Sequence, residues 1–146
     1  MPDSHPVRAV VLGGGGSKGA YQIGVWQALR ELDLDYKVVT GTSVGALNGA
    51  LMAQGEFDAA WNLWWNMDNP QVMEGIPPSE NKPDSRLAVY RAFVREMVQK
   101  GGLDISPLEE MIRSILDEDK LRASGVEYGI VTVDMERLTP VKMFLR

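Results

Sequence analysis

The sequence predicts a three-layer α/β/α fold around a central, mostly parallel sheet, and three observations carry that expectation. Two short apolar runs, Val7–Leu12 and Tyr36–Thr40, each end in glycine and lead into a segment of helical period. The resulting β-α-β-α order calls for right-handed crossovers that lay helices on a parallel sheet. The chain is also of globular composition, with 45% hydrophobic and 24% charged residues, so it can bury a core.

Taken in order, Val7–Leu12 reads as a buried parallel strand ended by glycines. Ala20–Leu32 reads as a helix with Tyr21, Val25, Ala28, Leu29 and Leu32 along one face. Tyr36–Thr40 is the second strand. Val44–Gln54, mostly small and apolar, is a helix buried on most sides, with Gly55 as its stop. Phe57, Trp61, Trp64 and Trp65 recur at i, i+4, i+7 and i+8, which predicts a helix over Phe57–Met67 with an aromatic stripe. Residues Asp68–Ser85, rich in proline, predict a long irregular loop. Leu87, Tyr90, Val94, Met97 and Val98 mark a further helix that stops at Gly101-Gly102. Ser106-Pro107-Leu108-Glu109 is a capping box opening a helix whose apolar face is Leu108, Met111, Ile112, Ile115 and Leu116. The acidic run Asp117-Glu118-Asp119 reads as the solvated end of that helix. Val126–Asp134 and Val141–Leu145 are strands, the short link between them pointing to an antiparallel pair. The last residues, Phe144-Leu145-Arg146, fall inside an apparent strand, so residues 1–146 are expected to be the N-terminal portion of one domain, incomplete at the C-terminus.

Bulk properties narrow the function. A net charge of −5 with no basic run excludes a nucleic-acid scaffold. Zero cysteines exclude disulfides and thiolate metal sites and fit a reducing compartment. No His/Asp/Glu grouping has metal-ligand spacing, so no metal or cofactor is expected. The N-terminus lacks the pattern of a signal peptide, and no apolar run nears the roughly 20 residues that span a bilayer. A cytoplasmic protein is the expectation. The single histidine, His5, precedes the first strand, so a mechanism built on a buried imidazole lacks its residue.

Two glycine turns carry the chemistry. Gly14-Gly15-Gly16-Ser17-Lys18-Gly19 satisfies G-x-G-x-x-G between strand and helix. A dinucleotide site also needs an acid at the tip of the second strand, where this chain has Val39-Thr40-Gly41. A phosphate-binding P-loop needs Ser or Thr after its lysine, and here Gly19 follows Lys18. Gly41-Thr42-Ser43-Val44-Gly45 is a G-x-S-x-G turn from strand to buried helix, the setting of a nucleophile elbow. The plainer reading makes Thr42 or Ser43 a helix N-cap. Together, the turns would lie side by side at the C-terminal edge of a parallel sheet. One offers a nucleophile, and the other backbone donors about 3 Å from a reacting carbonyl oxygen.

With GGGGSKGAYQIG followed by GTSVGALNG, the sequence resembles the patatin-like phospholipases, closely over residues 7–54 and more loosely to the YGIVTVD strand. The resemblance implies a lipid acyl hydrolase of the phospholipase A or esterase type, acting through an acyl-enzyme on a Ser–Asp dyad. Ser43 matches the family nucleophile, flanked by the elbow residues Gly41, Thr42, Val44 and Gly45. Gly14, Gly15 and Gly16 match the oxyanion loop, which Lys18 and Gly19 complete. The family's aspartate sits in an Asp-Gly motif, and this chain contains no Asp-Gly pair. The dyad aspartate is therefore expected outside the chain, which by itself is expected to be inactive; Asp134 is the best internal substitute. The implied partner is a phospholipid or other acyl ester. The tryptophan stripe reads first as the core-facing side of its helix, with peripheral membrane contact as its second use. An incomplete sheet would leave an unpaired edge and favour a homodimer. The open alternatives are a nucleotide- or dinucleotide-binding module and a non-catalytic fragment that keeps the fold.

Overall fold

A computed structural model of the chain describes residues 7–66, 106–134 and 136–145, with the side chains of 106–108 and 111 left out. The predicted loop over Asp68–Ser85 and the helix predicted around Leu87–Val98 lie outside the described residues. The chain divides into two compact units, Met1–Asn66 with Ile115–Arg146, and Met67–Ser114. Of the second, the described part is most of a helix, α4 (Ser106–Ile115).

Among the described residues, four strands form one sheet in the order β1 (Ala9–Leu12), β2 (Val38–Gly41), β3 (Glu127–Asp134) and β4 (Thr139–Leu145). The first three run parallel, with Leu12, Gly41 and Ile130 aligned, and β4 returns antiparallel to β3. Between them stand α1 (Gly19–Glu31), α2 (Val44–Gln54), α3 (Phe57–Trp65) and a short α5 (Glu118–Ala123). Strands β1, β2 and β3 step across the sheet in one direction. Right-handed crossovers then place α1, α2, α3 and α5 on the same face. Burial agrees: Leu12 and Val39 join Ile23, Trp26, Leu51, Met52 and Ala60 in one core. On the opposite face Val11 is 78% exposed and Phe144 52%. The α/β class and mostly parallel sheet match expectation; the described residues supply two of the three layers.

α2 is central to this packing. Its length is as predicted, and Gly55 closes it in the left-handed conformation at φ 77°. Gly49 lets it approach the sheet, since a Cβ there would sit 3.1 Å from Val39 and 3.3 Å from Tyr128. Two tyrosines from the strand side clamp its ends: Tyr128 donates to the Ala46 carbonyl at 2.6 Å and Tyr36 to that of Met52 at 3.0 Å.

Three expectations need correction. The buried face of α1 is Gly19, Ile23 and Trp26, whereas Tyr21 is 77% exposed and Leu32 also faces out. Both stripes have helical spacing; the one containing Gly19 wins because a residue without a side chain admits Trp64 and Val44 to close contact. The aromatic stripe of α3 splits. Phe57 and Trp64 pack on the core while Trp61 and Trp65 stack on each other, centroids 6.0 Å apart, at the surface. Finally, Asp117 starts a helix instead of ending one: its carboxylate caps α5 by accepting from the Lys120 N–H at 3.0 Å.

Candidate functional site

Parallel pairing of β1 with β2 sets Leu12 beside Gly41, so the glycine loop and the G-x-S-x-G turn leave the sheet as neighbours. The Thr42 N–H extends the ladder by donating to the Leu12 carbonyl at 3.2 Å, and the Thr42 hydroxyl donates to the Val131 carbonyl at 2.9 Å. Thr42 thus ties the turn to both flanking strands and does not cap the helix.

Ser43 sits at φ 53°, ψ −132°, a backbone conformation that L-residues rarely adopt. It occupies the N-cap position of α2, yet its side chain makes no capping hydrogen bond. Ser43 is therefore the N-cap by position, but neither Thr42 nor Ser43 caps the helix with its side chain. The flanking glycines have steric reasons. A Cβ on Gly41 would run into the Gly45 carbonyl, and one on Gly45 into the carbonyls of Leu12 and Gly13. Turn, helix start and glycine loop are packed backbone against backbone. Ser43 is left exposed at the N-terminus of an eleven-residue helix, where the dipole favours negative charge.

The glycine loop meets Ser43 at Gly14, where a Cβ would lie 3.1 Å from Ser43 Cβ and 3.7 Å from its Oγ. Gly15 and Gly16 have φ of 147° and 55°, so the loop's path needs glycine at both. Among the described residues, the N–H groups of Gly14, Gly15, Gly16 and Val44 meet no acceptor. Those of Lys18 and Gly19 are used inside the short 3-10 turn Gly16–Lys18, on the carbonyls of Gly15 and of Gly16 and Ser17. Gly19 is buried beneath Trp64. Gly14, Gly15 and Gly16 thus have unpaired N–H groups among the described residues, whereas Gly19 packs under Trp64 with its N–H used in the turn. Lys18 lays its aliphatic stem against Gly15 and has no backbone proton to offer.

No described carboxylate touches Ser43. Asp134, the internal substitute considered for the base, accepts from the N–H groups of Glu136 and Arg137 at 2.9 and 3.1 Å and is held in a turn.

Motif matching missed a buried amide network behind the loop. Asn48 is 1% exposed. Its Oδ1 accepts from Trp64 Nε1 at 2.8 Å, and its Nδ2 donates to the Gly19 carbonyl at 3.0 Å and to Gln22 Oε1 at 2.8 Å. Gln22 Nε2 then donates to the Gly13 carbonyl at 2.7 Å. The available signal was a lone asparagine within an otherwise apolar helix.

A family model described as patatin-like phospholipase matches residues 10–142. Lysophospholipase nte1 of Aspergillus terreus is 51% identical over 45 residues, 31% of this chain and 3% of that protein. An uncharacterized NTE family protein of Mycobacterium tuberculosis is 46% identical over 76 residues, 52% of this chain and 21% of its own. Among solved structures, VipD from Legionella pneumophila has a TM-score of 0.56 at 13% identity, covering 94% of this chain and 39% of that one, a likeness of fold. The chain spans between 3% and 21% of the length of these curated relatives.

Proposed function

Since the chain belongs to the patatin-like phospholipase family, we propose that it acts as a cytoplasmic lipid acyl hydrolase, of the phospholipase A or esterase type, through an acyl-enzyme on Ser43. The observation that carries this reading is a strained serine at a helix N-terminus, φ 53°, with Gly14 beside it in a loop whose Gly14, Gly15 and Gly16 N–H groups are unpaired among the described residues. Strain at a non-glycine residue costs of order 1–3 kcal/mol and persists where surrounding packing enforces it, commonly at active sites.

In this reading Ser43 Oγ attacks the ester carbonyl carbon while its proton passes to a carboxylate base that the described residues do not supply. The carbonyl oxygen gains the displaced electron pair, and the Gly14, Gly15 and Gly16 N–H groups with the α2 terminus stabilise it. Collapse of the tetrahedral intermediate breaks the ester C–O bond, and the alcohol leaves with the proton. Water then hydrolyses the acyl-enzyme by the same steps in reverse order. The substrate is a phospholipid or related acyl ester, and the exposed indoles of Trp61 and Trp65 offer a peripheral contact with the membrane that holds it.

The test is labelling of the intact protein by a fluorophosphonate probe together with turnover of a short-chain nitrophenyl ester. Wild type should react at Ser43, and Ser43→Ala should lose both signals. Equal turnover by the alanine variant would sink the proposal.

A further inference from the structure

We propose that Gln22, with its orientation set by Asn48 and Trp64, is a positioning residue that aims the Gly14 N–H at the oxyanion; this rests on the acyl-transfer reading above. The network begins with an indole. Trp64 Nε1 can only donate, so the 2.8 Å contact fixes Asn48 with Oδ1 toward Trp64. Its Nδ2 must then face the Gly19 carbonyl and Gln22, at 3.0 and 2.8 Å. Only an acceptor can answer it, so Gln22 turns Oε1 inward and Nε2 toward the loop. There Nε2 meets the Gly13 carbonyl at 2.7 Å. One donor-only group thus determines the sense of two amides in series.

The Gly13 carbonyl and the Gly14 N–H belong to one trans peptide plane, in which they point in opposite directions. Pulling the carbonyl toward Gln22 on α1 turns the N–H the other way. Gly14 is the loop residue facing Ser43, and its N–H has no other partner. Packing beside Gly45 limits where the Gly13 carbonyl can lie, and within a four-glycine stretch the Gln22 hydrogen bond is the directional contact that holds its orientation. The network supplies what the loop's own side chains cannot.

The experiment uses the intact protein and Gln22→Leu, which keeps bulk and removes the donor. The expected result is a kcat lower by about 10–100-fold, less than or comparable to loss of a whole oxyanion donor. KM should stay within about twofold, because ground-state binding does not use the oxyanion contact. Inhibition by an alkyl trifluoromethyl ketone, whose serine adduct carries an oxyanion, should weaken by a factor similar to the loss in kcat. Should Gln22→Leu fail to fold, Trp64→Phe removes the donor while leaving an aromatic ring against Gly19, and it should show the same paired losses. Retained kcat, or a fall in kcat with inhibitor affinity unchanged, overturns the positioning role. An unlabelled, inactive wild type would instead overturn the acyl-transfer reading on which this inference stands.

Discussion

Ser43 holds its hydroxyl out by keeping a backbone conformation suited to glycine, φ 53° and ψ −132°. Elsewhere in a folded chain, alanine is normally the more stable choice over glycine, because glycine loses more entropy on folding. At position 43 the order should invert. Ser43→Gly is expected to exceed Ser43→Ala in stability by about 1 kcal/mol, read from urea midpoints, as the strain is released. The reverse order would mean that the turn is not strained. At Gly14, φ is not positive, so the obstacle to a side chain is Ser43 itself, 3.1 Å from the added Cβ. Gly14→Ala should therefore lower turnover by about 10–100-fold by displacing a donor from the nucleophile. Its melting temperature should change little, which differential scanning calorimetry would check.

Among the elements, α2 owes its place to short contacts on three sides, and each is open to test. Tyr128 is pushed up to about 12 from 10.0 by burial as it reaches the Ala46 carbonyl. Burial also raises Tyr36, which holds the Met52 carbonyl. In the unfolded chain a tyrosine ionises near pH 10, while the folded protein retains the Tyr128 proton until about 12. The stability from Tyr128 is thus complete below pH 10 and is lost as pH rises toward 12, by about 2–3 kcal/mol in all. Tyr128→Phe should flatten that part of the stability–pH curve, leaving the smaller slope from Tyr36. An unchanged slope, measured by denaturant unfolding at a series of pH values, would contradict the clamp. On α3, Trp61 and Trp65 form a stacked, exposed pair, Trp65 being 77% accessible. Replacing both by alanine in the intact protein should weaken vesicle binding by about tenfold per indole and leave hydrolysis of a soluble short-chain ester near normal. Vesicle sedimentation that does not change would assign the pair no role at a lipid surface.

For the molecule as a whole, strand order governs the surface. With every described crossover stepping the same way, one face of the sheet carries the helices and the other presents Val11, Val131, Val133 and Phe144 to solvent. Contiguous apolar area of this kind is uncommon on soluble monomers. Residues 1–146 alone are therefore expected to self-associate at micromolar concentration, and sedimentation velocity should show dimers or larger species. Val11→Lys combined with Val133→Lys should shift the distribution toward monomer without altering the helical side. If the double variant associates as strongly as wild type, the sheet face is not the contact.

Much of this was legible in the residues themselves because the signals are local. Glycine stops, the period of α2, the antiparallel β3–β4 pair and the two glycine turns depend on neighbours within a dozen positions, and the structure matches them within a residue or two at most ends. What sequence periodicity could not decide was which of two equally spaced stripes on α1 is buried, because that depends on the element it meets. Gly19 under Trp64 settled it through a contact 45 residues away in the chain. The split of the tryptophan stripe was decided in the same way, by the core that Phe57 and Trp64 meet, whereas Asp117 and Asp134 bond N–H groups two or three residues on, a local choice between cap, turn and helix end that residue type alone leaves open. The amide network from Trp64 through Asn48 and Gln22 to Gly13 is the clearest case. Asn48 and Gln22 are inconspicuous in their own segments, and the sense of their hydrogen bonds follows from a donor on a different helix, Trp64. Local preference selects elements; the direction of a buried polar contact is a property of the assembled tertiary structure, since a buried amide must satisfy whichever groups surround it.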